Sequence, residues 1–324
     1  MKVENRTPFA AAWLVVLDKN GAEHLITIVK ATYSISEDSR LTIAPKPDPI
    51  RPADEFYGEP GLSSIRYEAE FGPAKITTDA VLIGSAIAPA PDTRALEVSF
   101  RVGPVHTRAK VFGERRWQGV LWHHASSPQP FDRIPLTYEN AFGGKDTSSK
   151  DSKHHGQEPR NPVGRGFFAR NSRLKRSGML LPNIESENGV PPGFGFIGRD
   201  WQPRLSYAGT YDEKWKSERM PLLPEDFDER YHNSAHPDLV APGFLKGNET
   251  VEVIGCTRSG RLAFALPNVQ PAAQATFENG REAIALNLNT VLVNTDAMKL
   301  NLVWKGDLKV HKRLLQFKQL DVRC

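Results

Sequence analysis

The feature that most constrains the fold is an alternation of apolar and polar residues just before position 103. Apolar residues occupy positions 96, 98, 100 and 102, and polar residues occupy positions 97, 99 and 101. Successive side chains of a β-strand point to opposite faces, so a period of two predicts a half-buried antiparallel strand. Gly103-Pro104 then predicts a turn, and residues 105–112 are predicted to return as the next strand.

The apolar run at residues 9–17 favours the same class. Lys2 and Arg6 precede it, as in the core of a signal peptide, but no small-x-small cleavage site follows. Asn20-Gly21 follows instead, which is a strong signal for a hairpin turn, and the β-branched run 25–29 comes next. We interpret residues 9–17 as a buried strand of this hairpin. Because no run is long and apolar enough to cross a bilayer, we expect no membrane partner.

Strand signals recur at both ends of the chain and disappear between them. Residues 75–83 are a further predicted strand, and apolar residues alternate again over 284–288 and 298–304, where Lys305-Gly306-Asp307 predicts a closing turn. The middle is rich in Gly, Pro and single aromatics, with the best helix start at Pro224. We therefore predict a mainly β protein with antiparallel, sandwich-like sheets from both chain ends. Its regions are a sandwich-like part at 1–120, an irregular part with short helices at 121–248, and a β part at 249–324 that packs on the first.

Charge and cysteine content exclude several classes of protein. The net charge of +4 on 324 residues is too small to identify a partner by itself. Cys256 and Cys324 cannot form a disulfide scaffold or a four-ligand zinc site, which favours a reducing compartment.

The motifs that resemble catalytic or cofactor sites lack the context that such sites require. Residues 193–198 spell G-x-G-x-x-G, but prolines precede them and no helix is predicted after them, so we do not expect a nucleotide. His232 and His236 have the spacing of metal ligands, but Pro237 ends any helix there. Cys256 follows an apolar run and is predicted to be a buried thiol. We expect no catalytic residue, metal or cofactor.

The stretch from Arg160 to Arg176 is more informative, because it contains six Lys or Arg residues, no acid and two adjacent phenylalanines. Arginine with aromatic residues suits a phosphate backbone or an acidic protein groove. The alternative is a solvated loop whose aromatics belong to the core. We predict a partner-binding surface made of the following residues: Arg165, Phe167, Phe168, Arg170, Arg173 and Trp201.

A series of phrases resembles a known bacterial family over nearly the whole chain. These phrases include Tyr57-Gly58-Glu59-Pro60, Lys75-Ile76-Thr77-Thr78-Asp79, Pro130-Phe131-Asp132-Arg133-Ile134-Pro135-Leu136, Tyr138-Glu139-Asn140-Ala141-Phe142-Gly143-Gly144, Arg160-Asn161-Pro162-Val163-Gly164-Arg165-Gly166-Phe167 and Gly209-Thr210-Tyr211-Asp212. Their order and number resemble the domain of unknown function 2169 (DUF2169) family.

That resemblance implies a non-enzymatic role in type VI secretion. The expected role is a cytoplasmic adaptor or chaperone that binds a toxic effector protein and helps to load it onto the valine-glycine repeat spike protein. A nucleic-acid partner is not expected. Two other functions stay open on the residues alone: a hydrolase acting on polysaccharide or nucleic acid, and a structural component of the secretion apparatus.

Overall fold

The computed structural model describes residues 2–119, 122–187, 189–310 and 312–324. About 40% of the residues lie in strands and 8% in helices, and the sheets are mostly antiparallel. Soluble proteins average roughly 20–25% strand, so strands dominate here and the predicted mainly β class is confirmed. The predicted boundary between the first two regions, at 120 and 121, lies outside the described residues.

The elements before residue 120 are strands. In chain order they are β1 Lys2–Asn5, β2 Ala10–Leu17, β3 Glu23–Ile35, β4 Leu41–Ile43, β5 Glu55–Phe56, β6 Ile65–Tyr67, β7 Asp79–Ile83, β8 Ser85–Ile87, β9 Ala95–Val102, β10 Val105–Phe112 and β11 Trp117–Gln118. The predicted hairpin is β2 and β3, which pair from Ala10 with Lys30 to Leu17 with Glu23. Since β2 is the edge strand of its sheet, it is half-buried rather than buried.

The middle region contains short elements. Its strands are β12 His124–Ala125, β13 Arg133–Pro135, β14 Phe142–Gly143, β15 Lys145–Asp146, β16 Gly156–Gln157, β17 Arg165–Gly166 and β18 Ile184–Glu185. Its helices are α1 Glu213–Glu218 and the 3-10 turns Tyr138–Asn140, Ser152–His154, Arg204–Tyr207, Glu229–His232 and Pro237–Leu239.

The last region returns to long strands, which join the sheets of the first. They are β19 Thr250–Ile254, β20 Arg261–Ala265, β21 Ala272–Phe277, β22 Gly280–Ile284, β23 Asn287–Asn294, β24 Lys299–Lys309 and β25 Phe317–Arg323, with a 3-10 turn at Leu314–Gln316. The central sheet has the order β2-β3-β24-β23-β7, with β4 on β3. The second has the order β18-β10-β9-β19-β20, and the third β1-β25-β21-β22. Both chain ends therefore contribute strands to all three sheets.

One apolar core joins the three sheets. Phe100 of β9, Leu302 of β24 and Leu320 of β25 belong to the same buried cluster, and each is fully buried. The predicted strands β9 and β10 are confirmed: they pair from Val102 with Val105 to Ala95 with Phe112, and buried and exposed residues alternate along β10. In β9 the polar Ser99 is buried as well, so the alternation of burial is incomplete there. Residues of the irregular middle region, such as Phe194 and Phe196, pack into this core.

The predicted turn at residues 305–307 is wrong, because β24 continues through it to Lys309. Gly306 makes this possible: a Cβ atom there would lie 2.5 Å from Ile284 Cγ2 and 2.7 Å from the backbone oxygen of Ala285. The glycine therefore serves close packing inside a strand. The predicted strand over 284–288 is interrupted at the same place, since β22 ends at Ile284 and β23 begins at Asn287.

Two further predictions fail because side chains replace backbone hydrogen bonds. Residues 75–78 are not strand; the N–H of Lys75 donates to Asn289 Oδ1 at 2.8 Å, and β7 begins at Asp79. No α-helix begins at Pro224 in this described segment, because Asp226 accepts from the N–H of Thr210 at 2.9 Å and holds a turn. Carboxylates that hydrogen-bond to nearby backbone compete with helix formation in this way.

Candidate functional site

The residues from 145 to 176 form the most basic part of the molecule. They contain nine Lys or Arg and three acids. We call the exposed cations other than Arg160 the basic surface, which consists of Lys145, Lys150, Lys153, Arg170, Arg173, Lys175 and Arg176. The salt bridges of this segment join Arg160 to Glu158 at 2.7 Å and His154 to Asp151 at 3.8 Å. Within the described ranges, the cations of the basic surface form no salt bridge.

Asp146 organises this segment from inside. The residue is 2% exposed, and its carboxylate accepts from Ser148 Oγ at 2.7 Å and from the N–H of Ala169 at 3.1 Å. Ser148 Oγ in turn accepts from the N–H of Arg173 at 2.9 Å. Although burial raises the pKa of Asp146, hydrogen bonds from Ser172 and Ser148 lower it to about 2. The carboxylate is thus an internal anchor that holds the chain around residues 169–173 and leaves the surface positive.

A groove of about 510 Å³ crosses the basic surface. We call it the basic groove; its lining is Lys153, His154, His155, Gly156, Phe167, Ala169, Arg170 and Asn171. The pairing of β15 with β16 brings Gly156 beside Asp146, whose carboxylate accepts from the N–H of Ala169, so residues distant in sequence meet at the groove. A Cβ atom on Gly156 would lie 3.3 Å from Phe167 Cζ, so the glycine lets the ring reach the groove.

The predicted partner residues fall into three environments. Phe167 and Arg170 line the groove, Arg173 is exposed, and Phe168 lies half-buried with the Arg176 guanidinium 4.4 Å from its ring centre. Arg165 is half-buried and donates to the backbone oxygen of Glu139 and to Asn140 Oδ1, each at 2.8 Å, so it connects loops.

Trp201 lies apart from these residues, in the interior. It is 4% exposed and meets the Tyr138 ring edge-on at 5.2 Å. We therefore assign Trp201 a packing role and leave it out of the surface proposed below. Sequence reasoning misses Lys153, His154 and His155, because they meet Phe167 only in the folded protein, where all of these residues line the groove.

The sequence motifs at residues 138–144 and 160–167 pack against each other next to the basic surface. Asn161 is fully buried and donates from Nδ2 to the backbone oxygens of Tyr138 at 2.8 Å and Phe142 at 2.9 Å. Strands β14 and β17 pair in parallel beside it. A Cβ atom on Gly143, whose φ is +155°, would lie 2.1 Å from the oxygen of Asn161. The residue types in these two motifs are therefore accounted for by close packing and by the hydrogen bonds of Asn161.

A second charged cluster is enclosed in the protein. Lys75 lies 2.7 Å from Asp79 and also pairs with Glu68, and Ser234 donates to the same Glu68. Burial alone would lower the pKa of Lys75, but the two carboxylates raise it. Buried ions are tolerated when they are paired and hydrogen-bonded in this way. We assign this cluster a structural role, fixing residues 75–79 against residues 233–235.

The motifs set aside in the sequence have structural roles as well. A Cβ atom on Gly193 would lie 2.3 Å from the Tyr138 hydroxyl, which explains one glycine of the G-x-G-x-x-G run. His232 is the last residue of the 3-10 turn Glu229–His232, whereas His236 caps the start of the next turn, Pro237–Leu239. The Cys256 thiol is 3% exposed, and burial raises its pKa to about 12, as expected for an unreactive thiol.

The described ranges contain neither a metal-binding cluster nor a membrane-spanning helix. No group of three or more His, Cys, Asp or Glu residues is arranged to hold a metal ion. No helix in those ranges has the length and apolar character that crossing a bilayer requires.

Comparison with known proteins gives one match. The model of a family described as "Uncharacterized protein conserved in bacteria (DUF2169)" matches residues 20–305. Searches of curated proteins and of solved structures gave no significant match.

Proposed function

Since the chain belongs to the DUF2169 family, we propose that it is a non-enzymatic adaptor that binds a toxic effector protein in the cytoplasm and helps to load it onto the valine-glycine repeat spike protein of a type VI secretion system. The observation that carries this proposal is the basic surface, with its groove and its two phenylalanines. An adaptor needs a recognition surface, and this one combines unpaired charge with aromatic anchors.

Electrostatics supports an acidic partner segment. The cations of the basic surface have no carboxylate partner among the described residues, so a segment rich in Asp and Glu would neutralise them on binding. Complementary charges of this kind mainly raise the association rate. Salt shortens the range of that attraction from about 10 Å at 0.1 M to about 3 Å at 1 M, and the association rate should therefore fall steeply as salt is added.

The aromatic residues support a protein partner for the same surface. Phe167 and Phe168 are half-buried, so each ring keeps area that a partner can cover. Aromatic and arginine side chains dominate the energetics of protein interfaces, where truncation of one anchor commonly costs about 2 kcal/mol or more. The Arg176 guanidinium over Phe168 combines both kinds of group.

The test is capture of a toxin encoded beside this protein in its host genome. A charge-reversal variant carries Arg170→Glu, Arg173→Glu and Lys175→Glu. Its matched control carries Lys46→Glu, Lys246→Glu and Arg258→Glu, which are exposed cations elsewhere on the surface. We expect the first variant to bind the toxin about tenfold or more weakly and the control to bind like the parent. Equal losses in both variants would mean that net charge alone is recognised, and the basic surface would not be the partner site.

A second variant separates a surface role from a core role for the phenylalanines. Phe168→Ala combined with Arg173→Ala should melt like the parent and lose the toxin. Unfolding of this variant would assign Phe168 to the core. The alternative ligand of the basic surface is nucleic acid, which titration with single-stranded and double-stranded DNA tests. Tight DNA binding that the charge-reversal variant abolishes would contradict the proposal.

A further inference from the structure

Arg204 is a buried cation without a carboxylate partner. The residue is 7% exposed; its Nε donates to the backbone oxygen of Tyr231 at 2.8 Å, and its Nη1 donates to that of Ile197 at 3.1 Å. Within the described ranges, Nη2 has no acceptor, and no carboxylate forms a salt bridge with the group. Burial of a charge without an ionic partner is costly, so this guanidinium is a candidate to hold an anion.

The acids near Arg204 are already paired with another cation. Glu68 and Asp79 act on Arg204 electrostatically, but both form salt bridges with Lys75. Burial lowers the pKa of His232 to about 4, and the charges of Arg204, Lys305 and Lys75 contribute to the decrease. The neutral imidazole supplies no counter-charge to Arg204, and the guanidinium has no salt-bridge partner within the described ranges.

Arg204 lines a cleft of about 280 Å³, which we call the Arg204 cleft. Its walls are largely apolar, with side chains that include Ile76, Ile197, Val240 and Pro242. Ile76 is 44% exposed and lies at the opening. Arg230 also lines the cleft, and its charge is already paired with Asp228 at 2.6 Å. The cleft therefore combines an apolar wall with one buried, unpaired cation.

We propose that the Arg204 cleft binds the carboxyl terminus of a partner protein whose last residue is apolar. The terminal carboxylate accepts from Arg204, and the last side chain contacts Ile76 and Val240. A chain end suits the cleft better than an internal acidic residue. An internal residue carries polar backbone on both sides into the apolar space, whereas a terminal residue carries it on one side only. The choice of a protein rests on the proposed adaptor function, whereas the preference for an apolar carboxylate does not.

The test uses purified full-length protein and a synthetic probe, an acetylated pentapeptide of four glycines and a final leucine. Its carboxyl-terminal amide is the matched neutral probe, and N-acetyl-leucine represents a small free acid. By calorimetry or ligand-observed NMR, we expect the acid peptide to bind in the micromolar to millimolar range and the amide about tenfold or more weakly. Equal binding of acid and amide, or binding of neither, would overturn the proposal. Binding of N-acetyl-leucine with no gain for the peptide would overturn the assignment to a protein terminus.

Two variants locate the probe. Ile76→Glu places a like charge at the opening and should weaken the acid peptide about tenfold or more, whereas Ile43→Glu, at an isoleucine on β4 that is 48% exposed, should bind like the parent. Arg204→Gln should remove the preference for acid over amide. If Arg204→Gln fails to fold, the Ile76→Glu and Ile43→Glu pair still decides the location. None of these titrations contains an effector, so they can succeed or fail independently of toxin capture by the basic surface.

Discussion

His232 should make the stability of the protein depend on pH in mild acid. Its imidazole contacts the Phe227 ring at a centroid distance of 5.5 Å, and Glu229 Oε2 lies 3.2 Å from its Nε2. Burial and the charge of Arg204 outweigh this partly exposed carboxylate and lower the pKa of His232 from 6.5 to about 4. Below pH 6.5 the His232 imidazole is therefore protonated in the unfolded chain but stays neutral in the folded protein. The contribution of neutral His232 is complete above pH 6.5 and is lost as the pH falls toward 4. At about 1.4 kcal/mol per pH unit, the loss comes to roughly 3 kcal/mol.

The assay is urea unfolding followed by tryptophan fluorescence at a series of pH values between 4.5 and 7.5 (about one third of a unit apart, since the slope is the observable). His232→Phe keeps a ring beside Phe227 and removes the titration, so its free energy of unfolding should fall less with acid than that of the parent. Phe227→Leu is the matched control, because it changes the same packing and should shift the whole curve without changing its slope. If the free energies of unfolding of the parent and of His232→Phe change in parallel over this pH range, the inference that burial and the charge of Arg204 lower the pKa of His232 is contradicted.

Three other substitutions test the packing beneath the site. Gly306→Ala should destabilise the protein by about 1–3 kcal/mol, because the new methyl group meets Ile284 and the backbone of Ala285; urea unfolding measures this. Asn161→Ala should cost about 1–3 kcal/mol, since it removes the amide that donates to the backbone oxygens of Phe142 and Tyr138, of which the second keeps the N–H of Ala141 as a donor; a melting temperature equal to that of the parent would contradict this. Asp146→Asn should remove the part of the stability that the parent holds above about pH 4 and loses as the pH falls toward 2, as acid titration of both proteins would show.

Local pattern predicted the parts of the fold that local forces determine. The alternation in β9 and the Asn-Gly turn before β3 depend on neighbours in sequence, and both elements form as expected. Gly306 is different: its contacts with Ile284 and Ala285 come from a separate strand, so the sequence Lys305-Gly306-Asp307 resembles a turn although it lies inside β24. Strand β7 begins late for a similar reason, because Asn289, far along the chain, holds the backbone of Lys75.

The same limit applies to the candidate sites. The exposed cations from Arg170 to Arg176 are adjacent in sequence, so composition alone predicted a positive segment. The opposite wall of the basic groove, with Lys153 and His155, depends on the pairing of β15 with β16 and has no local signal. Arg204 stands in a sequence context like that of many surface arginines; its burial and unpaired charge appear only once residues 197 and 231 enclose it.

The most direct test of the adaptor function is whether this protein is required to join effector and spike. Purified toxin and valine-glycine repeat spike protein are mixed with and without this protein, and the complexes are separated by size-exclusion chromatography and identified by mass spectrometry. We expect the toxin to elute with the spike when this protein is present, and to separate from it when the protein is absent or carries Arg170→Glu, Arg173→Glu and Lys175→Glu. If the toxin elutes with the spike equally well without this protein, the adaptor function is contradicted.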